Sequence, residues 1–277
     1  MSTVPTITLN DGVQIPKLGF GTFQIDPNDT VEATKRALDV GYRHIDTAQM
    51  YGNEAQVGEA IRQSKLDPAD VFVTSKLNNN KHARADALAG FDATLDALGL
   101  DTLDLFLIHW PLPDVGDFVE TWQALEEIKA TGRCRSIGVS NFQAHHLQRL
   151  FEETDTVPSV NQVEVHPYFA QHELRAFNAD HGIVTEAWAP IAQGRILDDE
   201  TLRTIGETHH KSAAQVALRW HIQRGDIIFP KTTTPERLTE NFEIFDFELS
   251  DDEMSRVTGL DRGQRNGPNP DEFNMVP

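Results

Sequence analysis

The chain is poor in cysteine and has no long apolar run. Cys134 is the single cysteine among 277 residues, so an internal disulfide is excluded and a reducing cytoplasm is the expected compartment. No apolar stretch approaches the roughly 20 residues that a membrane-spanning helix needs. The opening MSTVPTITLN lacks the basic and apolar regions of a secretory signal. We therefore expect a cytoplasmic protein that does not enter a membrane.

Basic residues, and lysine above all, are also scarce. Only 24 Lys and Arg stand against 43 Asp and Glu, a net charge of -19; 8 of the basic residues are lysine. Nucleic acid would be repelled by this charge, and no basic cluster compensates for it. An acidic excess with little lysine indicates a salt-adapted, halophilic source, and an ordinary acidic bacterial enzyme is the alternative.

A glycine-rich dinucleotide loop is missing as well. An open doubly wound sheet would place G-x-G-x-x-G after its first strand, but Gly19 and Gly21 are followed by no third glycine in register. Instead, eight short apolar runs alternate with amphipathic stretches of helical period. The runs are 17–23, 43–48, 71–77, 104–110, 134–140, 160–165, 182–188 and 226–230, and helical patterns cover 30–41, 86–100, 121–132 and 212–225.

This alternation predicts an α/β fold, a (β/α)8 TIM barrel that forms one domain over residues 1–277. The opening TITLNDGVQIP places a turn between alternating apolar residues, which predicts an N-terminal β-hairpin cap over the barrel bottom. The short C-terminal tail from about Gly259 is rich in Gly, Pro, Asn and Asp. We expect it to be an ordered loop or a frayed end.

Ionisable residues stand where the predicted strands end, and a barrel builds its active site there. Asp46 ends the second strand, Tyr51 follows in the next loop, Lys76 lies near the end of the third strand, and His109 ends the fourth. Each alone has a structural explanation, as a cap, a surface aromatic, a solvent-reaching lysine or a core histidine. Four such groups at successive strand ends indicate a catalytic set.

The chemistry of this set is coherent. A tyrosine titrates near pH ~10 and is a poor acid at neutrality. A nearby ammonium, that of Lys76, favours the phenolate, so we expect it to lower the pKa of Tyr51. Asp46 would hold the lysine, and His109 could hydrogen-bond a carbonyl oxygen. Such a site would protonate an oxygen as a hydride reaches the carbon.

Several segments resemble the aldo-keto reductase family, and the resemblance covers nearly the whole chain. They include HIDTAQMYGNEAQVG (44–58), VFVTSKL (71–77), DLFLIHWP (104–111), IGVSNF (137–142), VNQVEVHP (160–167) and IIFPKTTTPERLTEN (227–241). With Trp188 in VTEAWAPIAQG, the chain resembles the bacterial 2,5-diketo-D-gluconate reductase group of this family. The resemblance implies a tetrad of Asp46, Tyr51, Lys76 and His109, with Tyr51 as general acid.

It also implies a cofactor, NADPH or NADP, across the barrel mouth. Ser140, Asn141 and Gln162 match positions that hold the carboxamide, and Trp188 would stack on the nicotinamide. Lys231 and Arg237 match positions around the ribose 2′-phosphate, where two cations suit a dianion. The full implied cofactor set is Thr22, Phe23, Ser140, Asn141, Gln162, Trp188, Gln193, Gly194, Lys231, Thr232, Arg237, Glu240 and Asn241.

The implied substrate pocket departs from the family at Asn78, where tryptophan is common. Its expected lining is Phe23, Gln49, Met50, Asn78 and Trp110. We expect no metal, because the pairs His145-His146 and His209-His210 lack ligand partners at metal-binding spacing.

The resulting prediction is a monomeric NADPH-dependent oxidoreductase that reduces aldehydes, α-ketoaldehydes or sugar-derived ketones. One alternative is a cofactor-binding regulatory subunit of the same barrel type. A sugar-phosphate isomerase is a further one, although its acid–base residue and phosphate loop are not evident.

Overall fold

An antiparallel hairpin opens the computed structural model, which describes residues 4–277. Its strands are β1 (Thr6–Thr8) and β2 (Gln14–Pro16), with Ile7 opposite Ile15. The connecting turn includes Gly12 at a φ of 86°, a left-handed conformation that glycine adopts without steric cost. The hairpin that the sequence predicts is confirmed.

Eight parallel strands within residues 4–277 follow one another in chain order around a single sheet. The last strand returns to the first. Gly19 N donates to Ile228 O at 2.8 Å, and Ile228 N donates to Lys17 O at 2.9 Å. These bonds close the sheet, so the predicted (β/α)8 barrel is confirmed. The strands are β3 (Phe20–Gly21), β4 (His44–Asp46), β5 (Phe72–Leu77), β6 (Leu103–Ile108), β7 (Cys134–Ser140), β8 (Val160–Glu164), β9 (Val184–Trp188) and β10 (Ile227–Ile228).

The helices surround this sheet, and several of them begin at recognisable caps. Asp26 caps the first helix by accepting from Asn28 N at 2.9 Å, and Ser212 forms a capping box with Gln215. The first helix therefore starts three residues before the apolar pattern does. Within residues 4–277 the helices are α1 (Pro27–Val40), α2 (Glu54–Gln63), α3 (Arg84–Leu98), α4 (Phe118–Ala130), α5 (Ala144–Glu153), α6 (His172–Asp180), α7 (Glu200–His209), α8 (Ala213–Arg224), α9 (Pro235–Phe242) and α10 (Asp251–Thr258).

Two apolar layers hold the barrel together. The larger lies between strands and helices and includes the fully buried Trp122 and Trp220. The smaller fills the barrel interior and includes Leu105, Leu107 and the hairpin residue Ile15. The hairpin therefore seals the bottom of the barrel. The candidate functional site lies at the opposite end of the barrel, where the strands finish.

The tail after α10 is an ordered loop. Asn274 Nδ2 donates to Asp114 Oδ2 at 2.9 Å, and the ring of Phe273 lies 4.2 Å from that of Trp110. The tail thus packs beside the carboxyl end of β6. Within residues 4–277, no helix has the length and apolar character needed to cross a membrane.

Candidate active site

The four candidate catalytic residues meet at one rim of the barrel. Asp46 ends β4, Lys76 is the penultimate residue of β5, and His109 directly follows β6. Tyr51 ends a 3-10 turn, Gln49–Tyr51, in the loop after β4. Because neighbouring parallel strands end at the same rim, their terminal side chains become neighbours.

Lys76 and Asp46 form a buried ion pair. Lys76 Nζ donates to Asp46 Oδ1 at 2.7 Å, to Asp46 Oδ2 at 2.9 Å and to Thr47 O at 2.9 Å. Burial alone would lower the pKa of Lys76, but the negative charge of Asp46 raises it. Burial raises the pKa of Asp46, against the pull of Lys76. The short contacts to both oxygens are those of a charged pair, so we describe it as ammonium and carboxylate.

Tyr51 lies over this ammonium. Lys76 Nζ is 5.1 Å from the centroid of the phenol ring. Burial raises the pKa of Tyr51, and the charge of Lys76 opposes that rise without cancelling it. The net direction is opposite to the sequence-based expectation of a lowered pKa, because desolvation of a phenolate outweighs one nearby cation. Tyr51 therefore keeps its proton at neutral pH.

His109 completes the group as a neutral imidazole. Its ring centroid lies 5.8 Å from that of Tyr51 at an interplanar angle of 74°. Burial and the nearby Lys76 charge lower the pKa of His109 well below its ordinary value. Its Nδ1 atom is buried and has no hydrogen-bond partner within residues 4–277. A neutral ring can donate a hydrogen bond without adding a second cation beside Lys76.

A hydrogen-bonded rim adjoins His109. Trp188 Nε1 donates to Asn141 Oδ1 at 2.9 Å, and Asn141 Nδ2 donates to His109 O at 3.0 Å and Ser140 Oγ at 3.1 Å. Ser140 Oγ donates in turn to Gln162 O at 2.9 Å. Four of the predicted cofactor residues are thus brought together beside the candidate catalytic group.

The barrel interior behind this rim holds a carboxylate that the sequence reasoning missed. Gln162 Nε2 donates both to Asp46 Oδ2 at 2.9 Å and to Glu186 Oε2 at 2.8 Å. Glu186 is fully buried in the apolar run VTEAW. A charged residue inside a buried strand was the signal that singled out Lys76, and the same criterion would have found Glu186.

Thr22 and Phe23 follow the first barrel strand. Thr22 Oγ1 donates to Asp46 O at 3.1 Å and is fully buried. Phe23 is half-exposed, and its ring lies 5.1 Å from that of Tyr51. Phe23 therefore borders the opening through which a ligand would reach the phenol.

The segment 189–197 crosses the rim in a strained conformation. Ala189, Ala192 and Gln193 have positive φ angles of 50°, 49° and 55°, which are uncommon for residues other than glycine. Gly194 follows at a φ of 88°. Arg195 Nη1 donates to Asn266 Oδ1 at 2.7 Å, so the C-terminal tail supports this segment.

The predicted adenosine-end residues lie after β10 and in α9. Lys231 and Arg237 are exposed and form no ion pair within residues 4–277. Thr232 Oγ1 accepts from Thr234 N at 3.1 Å. Glu240 accepts from the hydroxyl of Ser212, and Asn241 is buried on the same helix. Two uncompensated cations next to a helix N-terminus suit a phosphate dianion.

Only some of the residues predicted to line the substrate pocket have side chains that are free to contact a substrate. Trp110 packs on Phe273, and Met50 is half-buried. Gln49 Nε2 donates to Gly90 O at 2.7 Å, and its Oε1 accepts from Asn78 N at 2.8 Å. The amide of Gln49 is therefore directed at α3, and it could contact a substrate only by leaving these partners.

The histidine pairs do have acidic neighbours, which corrects one expectation. His145 Nε2 lies 3.3 Å from Asp271 Oδ1, and these two residues form a cluster with His146. However, His146 Nδ1 accepts from Gln143 N at 3.1 Å, so its proton is on Nε2, the atom that faces Asp271. A protonated nitrogen is not a metal ligand. Asp271 belongs to the C-terminal tail, so its distances from His145 and His146 depend on how the tail folds against α5.

The chain is similar to known proteins over nearly its whole length. The Aldo/keto reductase family matches residues 17–262. This chain belongs to that family. An aldo-keto reductase from Mycobacterium sp. (strain KMS) is 48% identical over 272 residues, which cover 98% of this chain and 99% of the relative. The methylglyoxal reductase DkgA of Escherichia coli (strain K12) is 43% identical over 276 residues, 99% of each chain.

Among solved structures, a Gox0644 variant in complex with NADPH superposes with a TM-score of 0.96. The two sequences are 41% identical, and the superposition covers 99% of this chain and 100% of the Gox0644 chain. The family resemblance of the sequence and its barrel fold are thus confirmed.

Proposed function

We propose that this aldo/keto reductase family member uses NADPH to reduce aldehyde and ketone carbonyls to alcohols, including α-ketoaldehydes and sugar-derived ketones. One observation carries the proposal: Lys76, fully buried and paired with Asp46, lies 5.1 Å from the ring of Tyr51. The E. coli relative named methylglyoxal reductase supports α-ketoaldehydes as substrates. The neighbour solved with NADPH supports the cofactor.

In this mechanism Tyr51 is the general acid. It enters the reaction protonated, because burial raises its pKa, and it donates that proton to the carbonyl oxygen. Lys76 stabilises the phenolate that remains, and Asp46 keeps the ammonium in place. Neutral His109 donates a hydrogen bond to the same oxygen. When bound, the reduced nicotinamide supplies the hydride for the carbonyl carbon.

The residues present fit this cofactor. Asn141 and Ser140 offer amide and hydroxyl groups beside His109, and Trp188 offers a flat ring held by Asn141. Such a ring would leave one nicotinamide face open to the substrate. The proposed cofactor contacts are Thr22, Phe23, Ser140, Asn141, Gln162, Trp188, Gln193, Gly194, Lys231, Thr232, Arg237, Glu240 and Asn241, and the proposed substrate contacts are Phe23, Met50, Asn78 and Trp110, with Gln49 only after rearrangement.

The test of this mechanism is Tyr51→Phe, which removes only the hydroxyl. We expect NADPH-dependent reduction of methylglyoxal to fall by about 100-fold or more, the usual contribution of general acid catalysis. NADPH affinity, measured by quenching of tryptophan fluorescence, should stay unchanged. Tyr168→Phe is the matched control, because Tyr168 donates to Asp199 outside the site. Substantial turnover by Tyr51→Phe would rule out the mechanism.

We infer further that the enzyme acts as a cytoplasmic monomer in a salt-adapted organism. The proposed catalytic and cofactor residues all come from one chain, so the site is complete without a second copy. The single thiol is buried, and burial raises the pKa of Cys134 to about 12, which suits a protein that uses no disulfide. The acidic excess supports salt adaptation.

A further inference from the structure

Glu186 has a buried carboxyl group that the proposed mechanism does not use. It is 0% exposed and lies in the middle of β9. Its strand neighbours in register are Gln162 of β8 and Ile227 of β10. Its Oε2 accepts from Gln162, whereas its Oε1 has no hydrogen-bond partner within residues 4–277. A carboxyl group that is buried and only partly hydrogen-bonded is costly, so its presence calls for a role.

Gln162 connects Glu186 to the candidate catalytic group. Its single Nε2 atom donates to Glu186 Oε2 at 2.8 Å and to Asp46 Oδ2 at 2.9 Å. Both amide hydrogens are therefore used, and the amide can satisfy both carboxyl groups in only one of its two orientations. Asp46 in turn holds Lys76. An unbroken chain of contacts thus runs from Glu186 through Gln162 and Asp46 to the ammonium under Tyr51.

The charges around Glu186 keep it protonated at neutral pH. Burial first, and then the charge of Asp46 on β4, raise the pKa of Glu186 to about 8. The amide of Gln162 on β8 and the ammonium of Lys76 on β5 oppose that rise, and β10 presents the apolar Ile227 beside it. Two carboxyl groups that share one amide therefore divide the roles: Asp46 carries the charge, and Glu186 carries the proton.

We propose that Glu186 is a positioning residue, which acts through Gln162 to orient Asp46 and so to fix the Lys76 ammonium beneath Tyr51. This inference rests on the proposed function, because Lys76 matters to catalysis only if Tyr51 is the acid. Glu186 is not among the residues proposed to contact the cofactor or the substrate. Its influence on turnover is entirely indirect.

Ionisation of Glu186 would disturb the arrangement. A second negative charge would draw Gln162 away from Asp46 and attract Lys76, whose pKa the charge of Glu186 raises. Lys76 would then stabilise the Tyr51 phenolate less. Turnover of the wild-type enzyme is therefore expected to decline as the pH rises through about 8, below the pH at which Tyr51 itself loses its proton.

The kinetic test compares two substitutions at this position. Glu186→Gln keeps an oxygen that accepts from Gln162 but cannot ionise, so we expect near wild-type kcat at pH 6 to 7 and no decline near pH 8. Glu186→Ala removes the acceptor, and kcat should fall roughly tenfold, comparable to loss of one hydrogen bond between neutral groups. The control is Thr185→Val on the same strand, because Thr185 faces outward and accepts from Asn178. It should change neither kcat nor the pH profile.

A stability measurement tests the inference without catalysis. A carboxyl group whose folded pKa is raised stabilises the fold at low pH, and this contribution is lost as the pH rises from its unfolded pKa toward its folded pKa. The Tm of Glu186→Gln should therefore rise relative to wild type between pH 5 and 8, and that of Thr185→Val should not.

The outcomes separate the two proposals. An undiminished kcat in Glu186→Ala, or a decline near pH 8 that survives in Glu186→Gln, would overturn the positioning role. If Glu186→Ala does not fold, the pH profile of Glu186→Gln decides alone. If Tyr51→Phe stays active, the proposed mechanism fails, and the Tm comparison still reports whether Glu186 is held protonated.

Discussion

The buried ion pair between Asp46 and Lys76 makes a quantitative prediction about stability. Asp46→Asn preserves the shape of the side chain and removes its charge. Lys76 Nζ would keep Thr47 O as an acceptor at 2.9 Å but would remain a fully buried cation without a counter-ion. Removing one partner of such a pair costs about 3–5 kcal/mol. For a protein of this size, that lowers the Tm by roughly 10 °C.

The assay is thermal unfolding of Asp46→Asn, Lys76→Met and the double variant, arranged as a double-mutant cycle. The double variant removes both charges, so its loss should be smaller than the sum of the single losses by at least about 1 kcal/mol. Glu127→Gln is the control, because it breaks the exposed pair with Arg84; exposed pairs add little stability, so its Tm should barely change.

Two results would refute this reasoning. The first is an Asp46→Asn protein whose Tm equals that of the wild type. The second is strict additivity in the cycle, which would mean that Lys76 and Asp46 are independently solvated and that Lys76 is not held under Tyr51 by the pair.

Two further predictions concern cofactor choice and salt. Arg237→Gln should weaken NADPH binding about ten- to a hundredfold and hardly affect NADH binding, because a charge-assisted contact is worth roughly 1.5–3 kcal/mol. Arg203→Gln is the control, because Arg203 is also exposed. Equal losses of affinity for both cofactors would show that Arg237 does not bind the 2′-phosphate. With a net charge of -19, the Tm should rise as KCl increases toward molar concentrations, where the Debye length falls to about 3 Å, while the KM for NADPH rises. A Tm that is flat or falling with salt would contradict salt adaptation.

The barrel was predictable because its signals are local. Strands such as β5 and β6 are short apolar runs between polar boundaries, and α1 is marked by Asp26 before it and Gly41 after it. The short strands β3 and β10 are shorter than the apolar runs that contain them. The residues just before β3 still bond across to β10, as in Ile228 N to Lys17 O at 2.9 Å, but only through isolated bonds, which a hydropathy pattern does not reveal.

The positions of the candidate catalytic residues followed from the same local pattern, since Asp46, Lys76 and His109 interrupt or end buried strands. Their electrostatics did not follow. The sequence suggested that Lys76 lowers the pKa of Tyr51, whereas burial raises it, because the depth of a side chain depends on everything packed around it. Gln49 likewise turns its amide toward α3, which sequence spacing alone could not indicate.

What the sequence determined by itself is the alternation of strands and helices, the hairpin, and the residue types at each strand end, because these depend on neighbours along the chain. Only the tertiary structure decided the long-range contacts: the closure of β10 on the first strand, the tail against Trp110, and the path from Glu186 through Gln162 to Asp46. Gln162 is 116 residues from Asp46 in the chain. No local propensity encodes such a contact; it arises when the barrel closes and places β4, β8 and β9 around one buried interior.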